Sequence, residues 1–192
     1  EIIEVATFRR TPEAAPEGME EKEARIWLNN AFGSPEEDAF RRDFTINGLY
    51  YNIADFSVID YVGGLEDLRA GVIRTIGPSS QRFSEDPVRM MRAVEYGARL
   101  GFQLDQEVTE AIGAMHGEIR RAAPARIAYE LMESLKGGQA LPIFRGLDDS
   151  GLLAHTLPEA HGVAGMPGAL LWRLLARADE RLHRLAQAVD AE

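Results

Sequence analysis

No cysteine occurs anywhere in the chain, which excludes disulfides, thiolate metal ligands and cysteine nucleophiles together and fits a reducing compartment. Long apolar runs are also lacking. Nothing approaches the roughly 18 consecutive apolar residues of a membrane span, and the opening Glu-Ile-Ile-Glu-Val has none of the basic start of a secretory signal. The expected address is the cytoplasm, with no membrane partner. Positive charge is in short supply as well: 31 acidic against 21 basic residues give a formal net charge of −10. That balance excludes a protein that coats nucleic acid non-specifically, because phosphate binding draws most of its affinity from lysine and arginine. Any RNA contact must be local. Among the basic residues lysine is scarce, and arginine favours planar, bidentate recognition over diffuse attraction.

What is present is an ordinary globular composition, 45% apolar and 27% charged, long enough at 192 residues for one substantial core or two small ones. Ile2 to Phe8 is rich in β-branched residues and reads as a strand buried on both faces, in which Glu4 is the odd residue. No methionine starts this run, so the chain is expected to belong to something longer. Arg10 to Lys22, with its prolines and glutamates, reads as a solvated loop. Ser34-Pro35-Glu36-Glu37 is a helix start with a capping box, and Glu36 to Asp38 are expected on its solvated side. Leu49–Ile53 and Phe56–Tyr61 form a hairpin about Ala54-Asp55, followed by a helical turn at Leu65–Arg69 and a strand at Val72–Ile76. Pro78 to Gln81 reads as a linker, after which strand signals stop and helical periods follow at about 84–100, 105–116, 124–136, 139–147 and 168–188. The fold class is α+β. His116, His155, His161 and His183 show no ligand spacing, and Trp172, Leu175 and Leu182 read as core.

The helix expected from Ser84 to Leu100 carries the chemistry. Ser84 caps it, Pro87 suits its first turn, and Glu85, Arg89, Arg92, Tyr96 and Arg99 share one polar stripe opposite Val88, Met91, Val94 and Ala98. Glu85 and Asp86 stand four and three residues before Arg89, so all three can meet. As surface ion pairs they contribute about 0 to 1 kcal/mol. As a recognition element they offer an acceptor beside a donor, which complements the amino group and ring nitrogen of adenine or cytosine. Guanine and uracil would set a carbonyl lone pair against the acid. Such an element selects amino bases over keto bases without telling ATP from CTP.

Phe32 to Asn47, Asp60 to Gly64 and Ser84 to Ala93 together resemble the class II nucleotidyltransferases, the family of bacterial poly(A) polymerases and CCA-adding tRNA enzymes. The resemblance covers roughly residues 1 to 135 and implies the C-terminal part of a nucleotidyltransferase palm with a mixed sheet, followed by an all-helical neck and body. It implies three parts: a partial palm at 1–77, a base-recognising neck at 78–136, and the start of a body or RNA-binding region at 137–192. It implies that Arg41 and Arg42 contact the sugar and phosphates of a nucleotide, that Glu85, Asp86 and Arg89 read the base, and that Arg92 contacts triphosphate or base. Asp43 is implied among the active-site carboxylates, with Glu4 a weaker third acid; structural roles, tying Arg41 or Arg42 or facing a sheet edge, are the competing readings. Thr-Ile-Asn-Gly-Leu-Tyr-Tyr-Asn at 45–52 is worded like the poly(A) polymerase branch.

The implied activity is template-independent addition of AMP from ATP to RNA 3′ ends, with Mg²⁺ as cofactor and ATP and RNA as partners. CCA addition to tRNA is the alternative within the class, and a non-catalytic RNA-binding relative the alternative outside it. The family's Gly-Gly-x-Val-Arg-Asp loop and Asp-x-Asp metal pair are expected before the opening strand and are not in this sequence. The metal ligands are thus not identified, and the chain alone is expected to be inactive.

Overall fold

In the computed structural model, residues 6–11, 18–20, 31–166 and 169–189 are described. Glu4 and most of the expected opening strand lie outside them. Ala6 to Phe8 carry no strand, and Arg9 instead makes an isolated antiparallel bridge to Phe32. The chain falls into two compact units, one ending at Arg69 and one beginning at Ala70.

In the first unit, helix α1 (Pro35–Arg41) starts as its sequence requires: Ser34 Oγ accepts the Glu37 N–H at 3.2 Å while Glu37 Oε2 accepts the Ser34 N–H at 2.7 Å. A 3₁₀ turn (Thr45–Asn47) leads into the hairpin β1 (Leu49–Asn52) and β2 (Ser57–Asp60), antiparallel with Leu49 opposite Asp60. Phe56 closes the loop at φ 59°, a backbone region that L-residues seldom occupy.

Helix α2 (Gly64–Ala70) follows, and its start explains the Asp-Tyr-Val-Gly-Gly stretch. Asp60 Oδ1 accepts the N–H groups of Val62, Gly63 and Gly64, and Oδ2 that of Leu65, at 2.9 to 3.0 Å. One carboxylate thus satisfies the amides that a helix start leaves orphaned. Burial pushes the Asp60 carboxyl up, but the four amide donors outweigh it and hold it below the usual range. Gly63 takes φ 81°, and at Gly64 a Cβ would overlap the Thr45 carbonyl oxygen. Thr45 is tied in turn to α2 by its hydroxyl, which donates to buried Asp67 Oδ2 at 2.7 Å.

The second unit is almost entirely helical, in keeping with the α+β expectation. Strand β3 (Val72–Ile73) is shorter than its sequence suggests and pairs in parallel with β4 (Gln103–Leu104), a strand the sequence does not announce. Two residues are too few to show an alternating period.

A larger correction concerns the helix expected from Ser84. Pro78 to Gln81 is no linker: helix α3 runs Ser79–Glu85, and a separate helix α4 runs Val88–Leu100. Ser84 is therefore not a cap but sits in the last turn of α3. Pro87 forces the break, because it has no amide to donate and pushes the preceding residue out of the helical region. Asp86 accordingly lies at φ −146°, ψ 96°. Gly101, at φ 67°, ends α4.

Helix α5 (Gln106–Met115), a 3₁₀ stretch (His116–Arg121), α6 (Pro124–Ser134) and α7 (Ala140–Asp149) come next, then α8 (Leu153–Thr156), α9 (Pro158–Ala164) and α10 (Leu170–Val189). The core gathers Phe83, Val88, Met90, Met91, Ile112, Ile143 and Leu147, all essentially inaccessible, each burial contributing about 1.5 to 3 kcal/mol. The histidines do more than the sequence suggests. His116 Nδ1 and His155 Nε2 lie 3.0 Å apart with stacked rings, and His161 Nδ1 meets Asp148 Oδ1 at 2.7 Å.

Replacing Gly64 by alanine should destabilise the protein by about 1 to 3 kcal/mol, because the new methyl collides with backbone rather than with a movable side-chain tip. A urea midpoint unchanged from the parent protein would contradict this.

Candidate functional site

Two groups of charged side chains hold the residues singled out by the sequence, one in each unit. In the first unit, α1 ends at Arg41, and Arg42 leaves it in extended conformation (φ −66°, ψ 164°). The Arg42 guanidinium is fixed on three sides. Its Nε and Nη2 donate to Asp38 Oδ2 at 3.2 and 3.1 Å, its Nη1 donates to Asn47 O at 2.9 Å, and its charge lies 5.0 Å from the centre of the Tyr50 ring. Tyr50 donates its hydroxyl to the same Asp38 oxygen at 2.8 Å, and the Arg9 N–H reaches Asp38 Oδ1 at 3.0 Å. Arg41 approaches that oxygen at 3.8 Å.

Asp38 is thus a hub with only 15% of its side chain exposed, which corrects the expectation of a solvated position. The signal was available, since Asp38 stands four residues before Arg42 on a helix. Burial alone would raise its pKa; the Arg9 amide, the Tyr50 hydroxyl and Arg42 outweigh that and hold the carboxyl below its usual range. The same burial and the bond to Asp38 push the Tyr50 phenol up to about 12.

Asp43 Oδ1 accepts the Phe44 N–H and the Asn47 Nδ2 amide, both at 2.9 Å. Its side chain is therefore fixed by the 3₁₀ turn, next in sequence to Arg42. Glu4, the other acid expected to be catalytic, lies outside the described residues. No group of three His, Cys, Asp or Glu side chains converges among the described residues, so these residues do not by themselves fit a divalent metal centre.

In the second unit the break at Pro87 arranges the acids. Glu85 Oε2 accepts Arg82 Nη1 at 2.9 Å and Arg89 Nη1 at 3.0 Å, while Oε1 takes Gln81 at 3.1 Å. Arg89 Nη1 also donates to the Arg82 carbonyl at 2.9 Å, which orients the guanidinium from behind. Burial works against the charge on Glu85, yet Arg89, Gln81 and Arg82 prevail and keep its pKa low. The expected pairing of Glu85 with Arg89 is therefore present across the break, with Arg89 largely covered and Glu85 open to solvent: 16% of the Arg89 and 41% of the Glu85 side chain is exposed.

Asp86 differs from expectation. Its carboxylate does not join Arg89 but meets Arg126 of α6 in a two-pronged bond of 2.9 and 2.8 Å. With Asp86 extended, the helical spacing that would bring it to Arg89 does not exist. The Arg126 pKa is raised by that bond. Forty residues of separation left no sequence signal for this partner.

Arg92 continues the same face. Its Nη2 donates to the Tyr96 hydroxyl at 2.6 Å and its Nη1 lies 3.8 Å from Glu130 of α6. Glu130 and Glu95 are both buried, and burial pushes both carboxyls up against the pull of Arg92 and Arg99. Chemically, the Glu85–Arg89 pair sets an acceptor and a donor side by side. Asp86 adds a second acceptor, for Arg126 and the 3.3 Å contact from Val88 N–H leave part of its lone-pair capacity unused. Two cavities of this unit, about 490 Å³ beside Lys136 and His183 and about 440 Å³ beside Phe102 and Pro142, are lined by other residues.

Comparison with known proteins bears on both groups. Residues 1–74 match a family described as the poly A polymerase head domain, and residues 101–162 one described as a probable RNA and SrmB-binding site of polymerase A. Poly(A) polymerase I of Salmonella typhi is 43% identical over 162 residues, a match that takes in 82% of this chain and 35% of that protein. The crystal structure of the Bacillus stearothermophilus CCA-adding enzyme in complex with CTP is similar with a TM-score of 0.64 and 34% identity, over 76% of this chain and 35% of that one. A tRNA nucleotidyltransferase complexed with a primer tRNA and an incoming ATP analog is similar with a TM-score of 0.57 and 34% identity, over 65% of this chain and 37% of that one. The chain therefore spans about a third of the length of the relatives it matches.

The Asp38 hub has a pH signature. Tyr50 has its folded pKa above the ordinary value near 10, so the stability it lends is complete below about pH 10 and is lost as pH rises towards about 12. Asp38 works in the opposite sense: its contribution is full above the ordinary carboxylate range and is lost in acid. Tyr50→Phe should therefore flatten the alkaline arm of a plot of unfolding free energy against pH and shrink the acid arm only in part, since the Arg9 amide and Arg42 still hold Asp38 low. Loss of the acid arm alone would refute the assignment.

Proposed function

This chain belongs to the class II nucleotidyltransferase family of poly(A) polymerases and CCA-adding enzymes, and on that premise we propose that it takes part in template-independent addition of AMP from ATP to RNA 3′ ends. The observation that carries the proposal is the Glu85–Arg89 pair beside Asp86, an acceptor–donor edge at a helix break whose hydrogen bonds hold it in place. Adenine presents an amino donor next to a ring-nitrogen acceptor, and this edge offers both complements.

In this reading Arg89 donates to the ring nitrogen, Asp86 or Glu85 accepts from the amino group, and Arg92 stands further along α4 towards the sugar or triphosphate. Arg41 and Arg42 serve the phosphates, with Asp43 the carboxylate of the first unit nearest to them in sequence. The division into palm, neck and body at 1–77, 78–136 and 137–192 belongs to the same proposal. So do a cytoplasmic setting, a role in RNA processing and a requirement for Mg²⁺. The acids described here do not assemble a metal centre, and no step is assigned to them through one. Among the described residues no helix is long and apolar enough to cross a membrane.

Addition to poly(A) is preferred over CCA because the Thr45–Asn52 wording and the 43% identity to Poly(A) polymerase I, covering 82% of this chain, point the same way. CCA addition remains the second reading, favoured by the solved relatives that hold CTP or a primer tRNA. The two differ in substrate, so primer extension by the whole polypeptide on an unstructured RNA and on a tRNA lacking its CCA end, with each nucleoside triphosphate, separates them.

Arg89→Ala should abolish discrimination of ATP from GTP and UTP, a loss of about 1.5 to 3 kcal/mol or roughly ten- to hundredfold, since a charged donor disappears from the base edge. Calorimetric titration with the four nucleotides measures it. Retained selectivity would remove Arg89 from base reading.

A further inference from the structure

Helix α10 (Leu170–Val189) lies beyond both family matches, and within the part read above as body or RNA-binding region none of its residues has been given a role. Its rotation is fixed from the buried side. Asp179, 8% exposed, accepts the N–H of Ala140 at 2.9 Å on one oxygen and that of Leu141 at 2.8 Å on the other, and so caps the start of α7. Trp172 donates its indole N–H to the Ala164 carbonyl at 3.0 Å, and Arg145 of α7 lies 5.0 Å over its ring. Leu175 is buried on the same side.

With that side pinned, the opposite one is forced outward. Arg173, Arg177, Arg181 and Arg184 are all exposed. At 100° per residue they fall within an arc of about 80°, spread along about 16 Å of axis, and each is at least about 120° from Asp179. One acid, Glu180, shares this side of the helix.

Their lack of an acid partner contrasts with the arginines around the recognition face. Just past α1 and on α3, α4 and α6 the arginines Arg42, Arg82, Arg89, Arg99 and Arg126 each meet a carboxylate within 3.1 Å. Among the described residues none of the four on α10 has such a partner. In a chain of net charge −10, four guanidinium groups in line against one acid are a local exception. Spacing them along one straight stripe suits a ligand that repeats its charge, as a nucleic acid backbone does.

We propose that this arginine stripe is a track for the phosphates of single-stranded RNA, separate from the base-reading edge. The proposal rests on the RNA-directed reading above only for the choice of RNA as polyanion; the stripe itself follows from the geometry of α10. Leu170, Leu174 and Leu185, all more than half exposed, flank the arginines and offer apolar surface to sugars and bases.

The test compares the protein with a variant carrying Arg173→Gln, Arg177→Gln, Arg181→Gln and Arg184→Gln, using fluorescence anisotropy of a labelled single-stranded oligoadenylate across a range of salt concentrations. Four lost phosphate contacts should weaken binding at low salt by roughly tenfold or more and reduce the slope of log affinity against log salt by about 3. Glu180→Gln should tighten binding. Thermal unfolding checks that the variant is folded, and ATP affinity should stay unchanged because the base-reading edge is intact. A folded variant with the parent's affinity and slope overturns the proposal. So does arginine-dependent binding of a polyglutamate peptide with no arginine-dependent binding of RNA, which would assign the stripe to an acidic protein. Failure of the nucleotide reading shows separately, as loss of ATP preference in the parent protein while the RNA slope is untouched.

Discussion

The two-pronged bond between Asp86 and Arg126 holds the second unit's recognition face in one geometry. Pro87 breaks the helix, and a broken helix has a hinge where it might have had a rod. Tying the residue before the proline to α6 by two short charge-assisted bonds removes that freedom. The consequences spread along α4. Arg89 is oriented by the Arg82 carbonyl at the end of α3, Arg92 leans on Tyr96 and Glu130, and Arg99 pairs with buried Glu95 while donating to the Glu133 carbonyl at 2.6 Å. Charged groups half removed from water are costly unless each finds partners, and here the acids of α4 and α6 share the arginines of α4 and α6.

The first unit solves a different problem with the same chemistry. Among its described residues few apolar side chains are buried, Phe44 fully while Phe32, Phe40, Ile53 and Phe56 stay exposed, and two carboxylates organise much of the unit. Asp60 gathers four backbone amides to start α2, and Asp38 gathers an amide, a phenol and a guanidinium. In each case burial opposes ionisation and directed donors restore it. Motif residues that look functional on paper therefore divide. Asp60, Gly64 and Thr45 build the scaffold, whereas Arg42 and Asp43 are positioned by it.

Much of this was legible beforehand. The capping box at Ser34, the hairpin about Ala54-Asp55, the later helices and the apolar side of α4 follow from patterns that act over a few residues, and the structure follows them. The Glu85–Arg89 pair was legible for the same reason. Less so were the features that need partners far along the chain. Arg126 stands forty residues from Asp86, the β4 strand is two residues long and exists only because β3 lies beside it, and the stacked His116–His155 pair joins positions 39 apart.

Local propensity, then, was settled by the sequence itself: where helices start, which faces are apolar, and which acids and arginines share a turn. It even contained the cause of its own misreading, for Pro87 can open a helix or end one, and here it separates two: the residue before it is extended, α3 stops at Glu85 and α4 begins at Val88. Which acid meets which arginine was decided by tertiary structure, because an ion pair depends on distance in space and not along the chain. Asp86 could have turned to Arg89; the extended backbone before Pro87 and the arrival of α6 gave it to Arg126 instead.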